Sequence, residues 1–127
     1  MPDGKQRMRI ESVARQVEQV LERLGWIPEE QLGYAARLGV GVDELALEFD
    51  DVFRLVVGLV HAGVIPEAVA EALRPVDGIL ADMSHSSRAE WDAWAVMESV
   101  AWAELRELAG VALDLLRRAD FEADEGA

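Results

Sequence analysis

Asp43-Glu44-Leu45-Ala46-Leu47-Glu48-Phe49-Asp50-Asp51-Val52-Phe53-Arg54-Leu55-Val56-Val57-Gly58-Leu59-Val60-His61-Ala62 is the stretch that decides the fold. Leu45, Phe49, Val52, Val56 and Leu59 recur at spacings of three and four, with Val60 beside them, which places them on one helical face. At 1.5 Å per residue such a helix is about 30 Å long, enough to cross a small domain. It is expected to be the central helix, with Asp50, Arg54 and His61 on its opposite face.

Working outward toward the N-terminus, Ile10, Ala14, Val17, Leu21 and Leu24, flanked by Val13 and Val20, repeat the same spacing. They predict a first amphipathic helix, closed by Gly25 as a left-handed cap. The stripe suits packing within a bundle, and residues 10–24 would also suit a seam between two copies of the chain. A short echo follows: Gly25-Trp26-Ile27-Pro28-Glu29 reappears as Gly63-Val64-Ile65-Pro66-Glu67. Each copy reads as a joint in which glycine ends one helix and proline opens the next, where its missing N–H costs nothing. Pro28 to Leu38 is then a short helix, with Gly39 and Gly41 loosening the chain ahead of Asp43.

Toward the C-terminus, Val69, Leu73, Val76, Ile79, Leu80 and Met83 continue a helical pattern, with Pro75 expected to kink or split it near Arg74. Ser84-His85-Ser86-Ser87 reads as a loop, and Ser87-Arg88-Ala89-Glu90 has the spacing of a capping box. Helical patterning then runs from Arg88 to Arg118, with a break expected at Glu98-Ser99 if Ser99 caps a further helix. The expected fold class is therefore all-α: a compact bundle of five or six helices in a single domain over residues 1–127, frayed at 1–6 and 121–127.

Composition narrows the function less than the fold. The chain of 127 residues has 12 basic and 25 acidic residues, a formal net charge of −13. Residues 1–24 carry +1 and residues 25–127 carry −14, so the acidity belongs to the body of the fold. Such a field repels phosphate backbones and attracts basic proteins. There is no cysteine, which excludes disulfides, thiolate catalysis and thiolate zinc sites. The longest apolar run, Leu55 to Val60, is too short to span a bilayer. A cytoplasmic protein without a membrane span is expected.

Three constellations could carry chemistry. Tyr34 to Leu45 has the outline of a helix-turn-helix corner, but its second helix would present Asp43, Glu44, Glu48, Asp50 and Asp51 before any basic residue. Carboxylates cannot neutralise phosphates, so direct DNA or RNA binding is not expected there, and these five residues are instead the candidate contact for a basic protein. Second, Trp91, Trp94 and Trp102 would form a stripe on an uninterrupted helix, with Glu98 among them. That arrangement could line a pocket for an organic cation. Third, His61 and His85, with Asp82 and the serines Ser84, Ser86 and Ser87, match no metal or nucleophile motif, and no metal or other cofactor is expected. The leading expectation is an acidic helical interaction module that binds or regulates a basic partner, in an immunity, antitoxin-like or mimic role. The alternatives are a sensor domain with a Trp-lined ligand pocket and a self-associating structural protein.

Overall fold

In the computed structural model, described for residues 4–86 and 88–119, the chain forms six α-helices and one 3₁₀ turn. They are α1 (Gly4–Gly25), α2 (Pro28–Leu38), α3 (Asp43–His61), α4 (Glu67–Ser86), the 3₁₀ turn (Arg88–Trp91), α5 (Ala93–Glu98) and α6 (Val100–Arg118). The described residues contain no strand, and the fold is an all-α bundle in a single compact domain. Lys5 and Gln6, expected to be frayed, already belong to α1. Residues 1–3 and 121–127, the other positions expected to fray, lie outside the described residues, as do Ser87 and Asp120.

Four long helices form the bundle. α1 packs on α3 and α6, and α4 packs on the same two neighbours, so the four close a ring of contacts. α3 is thus one of four equal members rather than the axis that its uninterrupted apolar face suggested. Its face is nonetheless buried as expected, through Leu45, Phe49, Val52, Phe53, Val56 and Leu59. The stripe of α1 is consumed in the same core: Ile10, Val13, Val17, Val20, Leu21 and Leu24 are all buried within the chain. The short helices α2 and α5 pack against each other.

Helix ends decide how these elements are joined. Gly39 ends α2 with a left-handed backbone (φ 68°), and its N–H and that of Val40 bond back to Ala36 and Ala35. Gly63 (φ 76°) does the same after α3, with its N–H on Val60 and that of Val64 on Leu59. Both are Schellman-type caps. Gly25 departs from this pattern: it has no positive φ and lies inside the last turn of α1. The two halves of the echo therefore differ in their glycines.

The end of α1 is closed instead by a side chain from α2. Gln31 is fully buried, and its Nε2 donates to the carbonyl oxygens of Arg23 (3.1 Å) and Leu24 (2.9 Å). These are terminal carbonyls that an α-helix cannot satisfy from within. The Oε1 of Gln31 accepts from Arg106 Nε of α6 at 2.9 Å, so the amide's donors and acceptor are all engaged. Arg106 also donates through Nη2 to the carbonyl of Val96, at the end of α5. Burial lowers the Arg106 pKa, opposed by the charge of Glu29. Two helix termini and two long-range elements thus meet at one polar joint.

α4 runs unbroken through Pro75. The ring faces solvent, while Leu73 and Val76 on either side are buried and hold both halves to the core. Pro75 removes the N–H that the Glu71 carbonyl would otherwise accept, and Glu71 is itself an exposed residue. Arg74 pairs with Glu67 (3.1 Å) and Glu71 (3.4 Å) along the preceding turns. The expected serine loop is also helical at its start: Ser84 Oγ donates to the Leu80 carbonyl and Ser86 Oγ to that of Met83, so both hydroxyls bond back to their own helix.

The glycines give a direct check. A Cβ on Gly25 would meet nothing closer than the Arg106 carbonyl oxygen at 3.8 Å. Gly25→Ala is therefore expected to raise unfolding free energy by up to about 1 kcal/mol, whereas Gly63→Ala, forced into a left-handed backbone, lowers it by about 1 kcal/mol or more. Urea denaturation of the two variants measures both signs.

Candidate functional site

The tryptophans are separated by the chain itself. Asp92 accepts from the Ala95 N–H at 2.8 Å and caps α5, and Ser99 accepts from the Ala101 N–H at 3.1 Å and caps α6. The break at Glu98-Ser99 is therefore present, and the uninterrupted helix needed for a tryptophan stripe is not. Trp102 is fully buried, Trp91 is half-buried, and Trp94 is 69% exposed. Glu98 is exposed as well.

Trp91 and Trp102 do meet, edge to face at 5.8 Å. Trp102 Nε1 donates to the Glu90 carbonyl at 2.6 Å, and the Glu90 carboxylate accepts from Ser99 Oγ at 2.8 Å, which clips the 3₁₀ turn to the start of α6. Glu90 thereby serves the second cap; the capping box expected from Ser87 lies outside the described residues. The guanidinium of Arg106 stands 5.9 Å from the Trp102 ring centre. The cation that an aromatic cluster would hold is here the chain's own, within a packed corner.

The five carboxylates of α3 divide between two flanks. Glu48 is engaged inside the fold: Tyr34 donates its hydroxyl to Oε2 at 2.6 Å, and Arg23 lies 3.5 Å from Oε1 while its guanidinium sits 5.0 Å from the Tyr34 ring centre. The hydrogen bond to Glu48, then burial, raises the Tyr34 pKa, and the charge of Glu44 acts in the same direction. Asp51 lines a shallow polar groove between α1 and α3 with Gln16, Gln19, Arg23 and Glu48. Glu44, Glu48 and Asp51 therefore belong to the flank facing α1 and α2.

Asp43 and Asp50 belong to the other flank. There, Asp43, Ala46, Leu47, Ser84, Arg88 and Trp91 line a groove of about 460 Å³. A second depression, of about 260 Å³, shares Ala46, Leu47 and Ser84 with it and extends along α3 and α4 to Asp50, Asp77, Leu80 and Ala81. The two make one channel with an apolar floor and carboxylates at its edges. Leu47 is 53% exposed. Asp50 pairs with Arg54 at 3.0 Å in an exposed i,i+4 pair, while Asp43 and Asp77 make no ion pair with a described residue. Of Trp91, Trp94, Glu98 and Trp102, Trp91 alone lines this channel.

His61 and His85 are both exposed at helix C-termini, as is Asp82. Among the described residues, no group of three His, Asp or Glu is placed to hold a metal ion, and no helix is long and apolar enough to cross a membrane. The sequence reading missed Asp77, which its spacing from Ala81 and Ser84 places on one face of α4 but which only the packing of α4 on α3 brings opposite Asp50. Compared with known proteins, the chain matches no family model, no curated protein and no solved structure.

The division among the tryptophans predicts unequal effects. Trp102→Ala is expected to cost about 3–5 kcal/mol of stability, and Trp94→Ala to stay within about 0.5 kcal/mol of the parent. Chemical denaturation followed by circular dichroism separates the two.

Proposed function

We propose that this chain is an acidic interaction module that binds a basic partner protein through the α3 side of the bundle. The observation that carries the reading is the α3–α4 channel, where apolar surface from exposed Leu47 and Ala81 and half-buried Ala46 lies between the carboxylates of Asp43, Asp50 and Asp77. Apolar surface supplies affinity, and charge around it supplies partner choice and encounter rate. The net charge of −13 extends the same preference over long range, so a basic protein is drawn in and nucleic acid is repelled. Neutralising or regulating such a partner, as an immunity or antitoxin-like protein does, is the role in keeping with this surface. A cysteine-free chain suits a reducing compartment, and the reading assumes the cytoplasm.

Within the five carboxylates, the proposal assigns contact first to Asp43 and Asp50. Glu44 and Asp51 are a secondary flank. Glu48 contributes charge but is tied to Tyr34 and Arg23, so its replacement would disturb the fold together with any contact.

Affinity capture from the native lysate, followed by titration of the captured protein, tests the reading. A partner of high isoelectric point is expected, with affinity that falls as salt rises and drops about tenfold or more, about 1.4 kcal/mol, in Asp43→Lys/Asp50→Lys. A captured partner whose affinity is unchanged by that variant and by salt would remove the proposal.

A further inference from the structure

We infer that the α3–α4 channel seats about two turns of a cationic amphipathic helix from its partner, an inference that rests on the interaction-module reading above. The dimensions set the length. Asp43 to Asp50 on α3 and Asp77 to Ser84 on α4 each cover seven residue steps, about 10.5 Å or two helical turns. An occupant of that length offers apolar anchors at positions i, i+3 or i+4, and i+7.

The chemistry of the walls favours a helix over an extended segment. The stretches 43–50 and 77–84 that form the walls are helical, so the channel offers side chains and no row of free N–H and C=O groups like a sheet edge. A strand laid into it would lose backbone hydration without replacement, whereas a helix arrives with its backbone already bonded. Ala46 and Ala81, one from each wall, are small enough for a third helix to approach closely, and Leu47 and Leu80 supply apolar contact. Trp91 closes one end.

Charge selects the sign of the occupant's flanks. Asp43 and Asp77 have no described ion-pair partner, and Asp50 holds Arg54 in a pair exposed enough for an incoming Lys or Arg to replace it. Arg88, at the Trp91 end, is the one cation among the described residues that line the channel. The groove between α1 and α6 differs. It holds only about 160 Å³, and Arg117 on its wall is already engaged with Glu18 and Glu22.

The test uses the full chain and a fluorescent Leu/Lys peptide of about 18 residues, long enough to hold an amphipathic helix, beside a scrambled peptide of identical composition. Anisotropy titrations are expected to show the amphipathic peptide binding about tenfold tighter than the scramble. Amide chemical shifts should move at residues 43–50 and 77–84. Ala81→Arg, at an exposed position, should abolish the preference, while Glu104→Lys on the exposed face of α6, a larger change in charge, should preserve it. Equal, salt-sensitive binding of both peptides would overturn the groove while leaving the basic-partner reading standing. Binding of neither peptide would also overturn the groove, and the lysate titration then decides the broader reading on its own. A concentration-dependent dimer in sedimentation, lost in Ala81→Arg, would assign the channel to a second copy and likewise overturn the inference.

Discussion

The bond between Gln31 and Arg106 is the constraint on which the arrangement of this molecule depends. Residues 75 positions apart in sequence meet there, and each also donates to carbonyls at a helix end that backbone N–H groups close only in part. Gln31 accepts the role that a left-handed glycine would have filled at the end of α1. Arg106 brings a positive charge to the C-terminal end of α5, where the helix dipole favours one. A buried amide and a half-buried guanidinium are costly unless their strong donors find acceptors, so this joint tolerates few alternative geometries. It is a polar specification of a corner that apolar packing alone would leave loosely defined.

The consequences of that corner reach the acidic surface. Fixing the end of α1 against α2 fixes Arg23 beside Tyr34, and the two together hold Glu48. One carboxylate of α3 is thereby withdrawn into the fold. On the opposite flank, Ser99, Glu90 and Trp102 set the approach of the 3₁₀ turn to α6 and so place Trp91 and Arg88 at the end of the α3–α4 channel. Of the channel's acidic edges, Asp43 and Asp77 pair with no described residue, and Asp50 holds only the exposed Arg54. That sorting turns a diffuse excess of negative charge into a surface with a floor, a length and a sign.

Much of the architecture was legible because it is local. Periodic apolar residues define the faces of α1, α3 and α6, and Ser99 announces a helix start within two residues of itself. Errors arose where a local signal competed with packing. Pro75 is expected to kink or split its helix, and the split is absent because Leu73 and Val76 anchor both sides of it to the core. Gly25 resembles a cap, yet a glutamine six residues later performs that task. Gln31 does carry a signal, because a polar residue in phase with buried Ala35 needs a partner, but nothing near it in sequence names Arg106. The five carboxylates of α3 were visible as a run; their division into two flanks, and the arrival of Asp77, depend on which helices pack alongside.

The coupling between Gln31 and Arg106 tests the central claim most directly. Unfolding free energies of Gln31→Leu, Arg106→Leu and the double variant, measured by urea denaturation, give the interaction term without reference to any other contact. The account predicts a coupling of about 1–3 kcal/mol, with the double variant less destabilised than the two single losses combined. Strict additivity, with each variant costing little, would mean that the corner is held by apolar packing alone and would contradict the account.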